Sequence, residues 1–187
     1  GFCSVEADIF AVKDKLLVGH TPLQLKPSRT LQALYLDPLM ERVAKNGGRV
    51  YPNGPPFVLL IDFKTKSEPT YKLLRELLPK YAGMLTRVEN GTLTQGAVTI
   101  VLSGSRPGNI GTEPLRYVGV DGRMGDLNSK IPAHEMPMIS DNWNSHFRWK
   151  GDGPIPPQEQ AKLVDMVTRS HAAGRLVRLW ATPEKEP

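Results

Sequence analysis

The apolar segment at residues 57–64, FVLLIDFK, constrains the fold more than any other part of this chain. Apolar residues occupy nearly every position in it, which is the pattern of a parallel strand covered on both faces. Residues 98–103, VTIVLS, show the same pattern. The helix predicted between them, at residues 68–81, is expected to bury four leucines: Leu73, Leu74, Leu77 and Leu78. A strand, a helix and a second apolar strand in this order predict a parallel α/β sheet.

The same alternation extends along the chain. Further strands are predicted at residues 4–10, 117–121, 136–141 and 176–181, and further helices at residues 30–45 and 157–173. Residues 15–20 follow a turn and could pair with the first strand. No glycine-rich phosphate loop follows the first strand, which disfavours a nucleotide-binding sheet. Polar residues instead gather near the C-terminal ends of strands, where (β/α)8 barrels build their sites. We therefore predict a single domain over residues 1–187, an incomplete (β/α)8 TIM barrel with about six of its eight strands.

Composition limits the partners of the chain. Its 187 residues carry a net charge of +5, but the Lys and Arg residues are scattered, which disfavours nucleic acid as a partner. No apolar run approaches the length of a membrane span. Cys3 is the only cysteine, so no disulfide can form within the chain.

Two carboxylates, Glu6 and Asp8, alternate along the first predicted strand. Side chains of a strand alternate between its faces, so both point one way while Ala7 and Ile9 point the other way. If this strand is buried, two negative charges on one face are costly unless a cation meets them. Carboxylate oxygens in this arrangement suit a hard cation such as Mg²⁺ or Ca²⁺.

Asp62 and Lys64 repeat this spacing at the end of the apolar segment at residues 57–64. They also share a strand face, so Asp62 could join Glu6 and Asp8 around one ion, and Lys64 would supply positive charge for an anionic substrate oxygen. An ordinary Asp–Lys ion pair at a strand end is the alternative interpretation. A third alternative is an anion-binding barrel, in which Lys or Arg rather than a metal satisfies Glu6 and Asp8.

His20 follows Asp8 by twelve residues and is a candidate general acid or base, because the pKa of histidine lies near neutrality. The alternative is a surface or capping histidine. Three loop arginines, Arg106, Arg123 and Arg148, are candidates for holding phosphate, and two of them are expected to be ordinary surface charges. Asn142 follows a strand end and is expected at a pocket rim. Trp180 either lines the pocket or fills the barrel.

Taken together, these residues resemble a superfamily of phosphodiesterases that includes the glycerophosphodiester phosphodiesterases, phosphatidylinositol-specific phospholipase C and the sphingomyelinase D-type phospholipases. The matching motifs are EAD at residues 6–8, LVGH at residues 17–20 and IDFK at residues 61–64. The DGR motif at residues 121–123, the FRWKGDG loop at residues 147–153 and RLWATP at residues 178–183 resemble a branch named after altered inheritance of mitochondria.

The resemblance implies a metal-dependent phosphoric diester hydrolase acting on glycerophosphodiesters or phospholipid head groups. Mg²⁺ or Ca²⁺ would be held by Glu6, Asp8 and Asp62, with His20 as acid or base and Lys64 neutralising charge. The residues expected to contact the substrate are Asp121, Arg123, Asn142 and Trp180.

The chain departs from the superfamily in two ways that limit this expectation. The second catalytic histidine of the superfamily lies on a strand that would precede Gly1, and one more helix and strand would follow Trp180. We therefore expect a chain that is truncated at both ends, has little activity, and can self-associate through exposed sheet edges. A non-catalytic module that binds a metal or an anion is the alternative function. The compartment stays open, with a secreted or periplasmic location among the alternatives, its signal peptide being absent from this chain.

Overall fold

The structure, a computed structural model, describes residues 2–184 of the chain. The chain forms two compact units, Gly1–Val120 and Asp121–Pro187. The expectation of a single domain over residues 1–187 stays a prediction.

The first unit is built on a largely parallel sheet. Its elements in chain order are β1 (Ser4–Val12), β2 (Lys15–Val18), α1 (Asp37–Lys45), β3 (Phe57–Phe63), α2 (Ser67–Leu77), β4 (Arg87–Glu89), β5 (Thr92–Thr94), β6 (Val98–Gly104), β7 (Leu115–Arg116) and the beginning of β8 (Val118–Gly122). Strands β1, β3, β6 and β8 are neighbours in that order and run parallel, while β2 pairs antiparallel with β1. A small antiparallel sheet joins β4 to β5 and β7.

The two faces of β3 have different surroundings. Phe57, Leu59, Ile61 and Phe63 belong to the hydrophobic core together with residues of α1 and α2. The other face carries apolar side chains near the start of the strand and Asp62 at its end, where the sheet is less deeply buried. The strand therefore presents a carboxylate at its C-terminal end on the face that is turned away from this core.

Helix α2 buries the side predicted from the leucine spacing. Leu74, Leu77 and Leu78 are all buried, whereas Leu73 is only partly buried and packs against the edge of the core. The predicted helix over residues 68–81 is therefore confirmed, with its last turn tightened into a 3₁₀ helix at Leu78–Tyr81.

The helix predicted at residues 30–45 contains a π-helical turn, Gln32–Leu36, before α1 begins. A π turn holds more residues than an α turn, so it rotates the side chains that follow it around the helix axis. Leu31 and Leu36 are buried, but Leu34 is 40% exposed, although regular α-helical spacing would place it on the same side of the helix as Leu31. The same rotation brings Tyr35 to the wall of a pocket described below.

The prediction of a (β/α)8 barrel is wrong. The fold is a mixed α/β fold with few helices, because some connections between parallel strands contain none. Residues 105–117, between β6 and β8, contain only the short strand β7, and a single 3₁₀ turn, Met124–Asp126, follows β8. Both connections are rich in Gly and Pro, which are poor helix formers. The apolar pattern therefore located the strands correctly, but helices do not follow every strand.

The second unit contains the end of β8, strands β9 (Met138–Asn142) and β10 (Leu176–Trp180), and helices α3 (Trp143–His146) and α4 (Pro157–Ala172). The end of β8 pairs with β9, which pairs in parallel with β10. Helix α4 begins at a proline and is followed by Gly174 with φ +71°, as expected for a helix that ends in a left-handed turn. Within residues 2–184, no helix has both the length and the apolar character that a bilayer span requires.

Arg175 organises the loop that precedes β9. Its side chain is 3% exposed and donates hydrogen bonds to the carbonyl oxygens of Asp126, Ser129 and Ile131 at 2.9, 2.9 and 2.7 Å. Backbone carbonyl groups in a loop lack the hydrogen-bond donors that a neighbouring strand would supply. The buried guanidinium group, which has several donors, satisfies them instead.

Replacing Arg175 should destabilise the second unit. We expect Arg175→Met to lower the free energy of unfolding by about 2–4 kcal/mol, since three carbonyl groups lose their donor. All three tryptophans lie in the second unit, so tryptophan fluorescence during urea unfolding reports on this change. Lys130→Gln, an exposed cation in the same loop, is the control and should leave the midpoint unchanged. Equal midpoints for Arg175→Met and the control would show that the loop does not need the guanidinium.

Candidate metal centre

Three carboxylates of the first unit converge on one face of the paired strands β1 and β3, beside the C-terminal end of β3. The parallel register places Asp8 directly beside Asp62, and Glu6 lies two residues before Asp8 on the same strand face. One carboxylate oxygen from each of the three residues lies within 4.8 Å of the other two. The alternate spacing in the sequence and the pairing of the two strands together create this cluster.

The spacing of these oxygens fits a hard divalent cation. Two oxygens bound to one Ca²⁺ at about 2.4 Å lie at most about 4.8 Å apart, and for Mg²⁺ at about 2.1 Å the limit is about 4.2 Å. The observed cluster meets the first limit as it stands, and small side-chain movements would meet the second. Oxygen ligands supplied only by carboxylates also suit these two ions better than softer metals.

The carboxylates are more exposed than the sequence predicted. Glu6 is exposed, while the side chains of Asp8 and Asp62 each retain 19% exposure. The expectation that β1 is buried at this point is therefore only partly correct. Solvent reduces the cost of gathering the negative charges, so the cluster can form before an ion arrives.

Lys64 bridges two of the acids. Its Nζ lies 2.7 Å from Asp62 Oδ2 and 3.2 Å from Asp8 Oδ1. Burial lowers the pKa of Lys64, but the hydrogen bonds and charges of Asp62 and Asp8 outweigh burial and raise it above its usual value. Lys64 is therefore charged at neutral pH, and three carboxylates with one ammonium carry a net charge suited to a divalent ion. The contact between Asp62 and Lys64 is the ion pair that the alternative interpretation predicted. An ion pair here is compatible with a metal site, because the carboxylates still lie close to one another.

His20 lies beside the same cluster. Its Nδ1 is 2.7 Å from Asp8 Oδ2, and the ring is 75% exposed. The preceding backbone is fixed to β1 by the Gly19 N–H, which donates to the Asp8 carbonyl oxygen at 3.1 Å. The side chain of Gln24 accepts hydrogen bonds from the backbone N–H groups of His20 and Thr21 and so holds the turn. The contact with Asp8 orients the ring and leaves Nε2 as the nitrogen that can exchange a proton with a bound molecule.

An open pocket of about 510 Å³ is lined by Glu6 and Asp8 of this cluster, together with His20 and Lys64. Sequence reasoning missed two of the residues that line it, Arg29 and Tyr35. The Tyr35 hydroxyl donates to the Glu6 carbonyl oxygen at 3.2 Å, which ties the π-helical turn to β1. Burial, followed by the charge of Asp8, raises the pKa of Tyr35, so the hydroxyl stays protonated and keeps donating. No spacing in the sequence marks these residues, since both reach the pocket from outside the sheet.

Gly104 at the end of β6 leaves the space that Asp62 occupies. It has φ +67°, and a Cβ atom added there would lie 1.9 Å from Asp62 Oδ1 and 2.6 Å from the Phe63 carbonyl oxygen. Any larger residue would push the carboxylate away from its position beside Lys64. A glycine directly after a strand of apolar residues was the signal in the sequence that could have identified this constraint.

The four residues predicted to contact the substrate lie at or beyond the end of β8, in the second unit. Asp121 is fully buried, and its Oδ2 accepts hydrogen bonds from Arg123 Nη1 at 2.6 Å and from Ser140 Oγ at 2.5 Å. Asn142 caps α3, since its side chain accepts from the Asn144 N–H at 2.9 Å. Trp180 is 46% exposed, rather than packed within an interior. Their contact with the substrate stays a prediction.

A second acid–histidine pair lies near Asn142. Asp141 Oδ2 is 3.0 Å from His146 Nε2. Burial raises the pKa of Asp141, but the hydrogen bonds from His146 and from the backbone N–H groups of Asn142 and Met124 outweigh it and lower the pKa below its usual value. A lowered carboxylate pKa stabilises the folded state at neutral pH, and this stabilisation is lost as the pH falls through that pKa. The pair therefore accounts for the position of His146.

The part of the chain that matches a known protein family lies within the first unit. Residues 1–117 match the AIM6-like phosphodiesterase domain, so the chain belongs to this phosphodiesterase-type family. The matched region contains the three carboxylates of the cluster together with His20 and Lys64, whereas the residues predicted to contact the substrate lie outside it. The resemblance to the altered-inheritance-of-mitochondria branch is thereby confirmed.

Two curated proteins are similar to this chain. The "Altered inheritance of mitochondria protein 6 homolog" of Arthroderma benhamiae is 28% identical over 98% of this chain and 64% of its own length. The "Altered inheritance of mitochondria protein 6" of Candida glabrata is 36% identical over 59% of this chain and 31% of its own length. The chain thus spans less than two thirds of either relative. No solved structure gives a significant match.

Enlarging Gly104 should disturb the cluster. We expect Gly104→Ala to lower the free energy of unfolding by about 1–2 kcal/mol, because alanine disfavours a positive φ and its Cβ displaces Asp62. The matched control is Gly108→Ala, since a Cβ there would meet nothing within 4 Å. Urea unfolding followed by far-ultraviolet circular dichroism measures both variants. An unchanged stability of Gly104→Ala would mean that Asp62 is not confined by this glycine.

Proposed function

We propose that this chain carries the metal-binding part of a phosphoric diester hydrolase site of the phospholipase C-like superfamily. The observation that supports the proposal most is the convergence of Glu6, Asp8 and Asp62 with Lys64 and His20. Mg²⁺ or Ca²⁺ would be held by the three carboxylates. The proposed substrate is a glycerophosphodiester or a phospholipid head group.

Each residue of the cluster has a separate role in this proposal. A bound divalent cation supplies polarisation of a phosphodiester oxygen. Lys64 holds Asp8 and Asp62 together and offsets their charge, so that the ligands are positioned in advance. Asp8 orients the His20 ring through Nδ1, and Nε2 passes a proton to the leaving oxygen or takes one from the attacking hydroxyl. Where the substrate offers its own hydroxyl, attack by that group gives a cyclic phosphate.

A non-catalytic module that binds a metal or an anion is the second candidate function. It is favoured by the presence of one histidine, His20, in residues 1–120, whereas the superfamily uses two histidines for proton transfer. The bridging position of Lys64 also keeps Asp8 and Asp62 satisfied without an ion. If the module binds a metal, both candidate functions require the same carboxylates, and they differ in whether a phosphodiester bond is broken.

Metal titration tests whether the carboxylate cluster binds a metal ion, as the hydrolase and a metal-binding module both require. We expect wild-type protein to bind Ca²⁺ or Mg²⁺ at one site, and we expect Glu6→Gln and Asp62→Asn each to weaken binding by about tenfold or more, because each removes a charged ligand. Isothermal titration calorimetry measures the affinities. Glu41→Gln, on the exposed face of α1, is the control for loss of one negative charge and should bind as wild type does.

Two outcomes of the titration would contradict the metal site. The first is the absence of binding to wild-type protein. The second is equal affinity in Glu6→Gln and the Glu41→Gln control. Either outcome would favour the alternative in which Lys64 alone balances the acids.

Rescue by imidazole separates the hydrolase from the binding module. We expect little hydrolysis of bis-p-nitrophenyl phosphate by this chain, because the superfamily divides proton transfer between two histidines and His20 is the one histidine in residues 1–120. Added imidazole should increase metal-dependent hydrolysis by wild-type protein, and should not do so for Glu6→Gln or in solution without protein. Release of p-nitrophenol measures the rate. Metal binding without any rescue would support the binding module.

A further inference from the structure

Lys64, the cation expected to meet the substrate, is already engaged. Its Nζ contacts Asp62 and Asp8 at 2.7 and 3.2 Å, and its side chain is 26% exposed. An ammonium group has three donors, and two of them are used by these carboxylates. The cluster therefore holds Lys64 as a part of the metal-binding framework with one donor left, so a second protein cation in the pocket would add to what Lys64 and a bound metal ion offer a phosphate.

Arg29 lines the same pocket and supplies such a cation. Its backbone is fixed: its carbonyl oxygen accepts from the Val18 N–H at 2.7 Å, and its own N–H donates to the Lys26 carbonyl oxygen at 2.9 Å. Its side chain is exposed, and no ion pair within residues 2–184 involves it. The position of Arg29 is thus defined by the fold, while its guanidinium group is accessible from the pocket.

The chain around Arg29 does not supply a neutralising charge. No Asp or Glu occurs between Asp14 and Asp37, a stretch that contains Lys15, Lys26 and Arg29. The acids near this stretch belong to the metal-binding cluster, where Lys64 and a divalent ion would balance them. An anion that enters the pocket therefore finds an arginine whose charge is not offset by its own segment.

We propose that Arg29 binds a non-bridging oxygen of the phosphodiester and is the substrate-binding cation of this site. This inference rests on the function proposed above and divides the work between two cations: Lys64 positions the carboxylates, and Arg29 positions the substrate. A guanidinium suits this task, because its planar donors match two oxygens of a phosphate and it is less strongly hydrated than an ammonium.

Binding of dimethyl phosphate, a diester that resists hydrolysis, tests the assignment without relying on turnover. We expect Arg29→Gln to bind it about three- to tenfold more weakly than wild type, and Arg29→Lys to lie between them, since lysine keeps the charge and loses the paired donors. Lys26→Gln is the matched control, because it removes one exposed cation three residues away that does not line the pocket. Phosphorus NMR titrations with and without Mg²⁺ give the affinities.

Calorimetric titration of Mg²⁺ into the same variants separates this inference from the proposed function. Arg29→Gln should bind Mg²⁺ as wild type does. If Mg²⁺ binds but Arg29→Gln and Lys26→Gln bind dimethyl phosphate equally, or wild type does not bind it, the assignment of Arg29 is wrong and the metal site stands. If Mg²⁺ does not bind to wild type, the proposed function fails, and the effect of Arg29→Gln measured without Mg²⁺ still decides whether Arg29 binds the diester.

Discussion

The parallel pairing of β1 with β3 is the interaction on which the candidate site depends. This register sets Asp8 beside Asp62, and the alternation of side chains then brings Glu6 and Lys64 to the same face. A slip of one residue would turn the side chains of one strand to the opposite face, and the charged groups would enter the hydrophobic core. The apolar residues of β3 prevent such a slip, so the core and the cluster specify each other.

Charge balance connects the remaining parts of the site. Asp8 uses one carboxylate oxygen for Lys64 and the other for His20, so the bridging lysine and the proposed proton-transferring group share a single acid. Removing Asp8 would therefore disturb both at once, whereas Asp62 contacts Lys64 and makes no ion pair with His20 within the described residues. A substitution at Asp8 therefore cannot separate its contact with Lys64 from its contact with His20.

The sequence predicted those features that depend on a period of two, and it failed where geometry outside the strands decides. The strands and the convergence of Glu6, Asp8 and Asp62 follow from alternation and apolar runs. The absence of helices between some of the strands does not follow from these patterns. The connections concerned are rich in Gly and Pro and have no periodicity of their own, so the alternation of strands and helices elsewhere in the chain was extended to them. Arg29 reaches the pocket from a loop fixed only by backbone hydrogen bonds, and such a loop carries no periodic signal.

The π-helical turn at Gln32–Leu36 has a consequence for how this pocket can vary among related chains. Such a turn has the form of an α-helix into which one residue has been inserted. A homologue that lacks this residue would continue as a regular helix and present a different side chain where Tyr35 now stands. A one-residue deletion in this turn, rather than a substitution, would then change the wall of the pocket. Differences between the pockets of related chains can therefore arise from insertions and deletions outside the sheet.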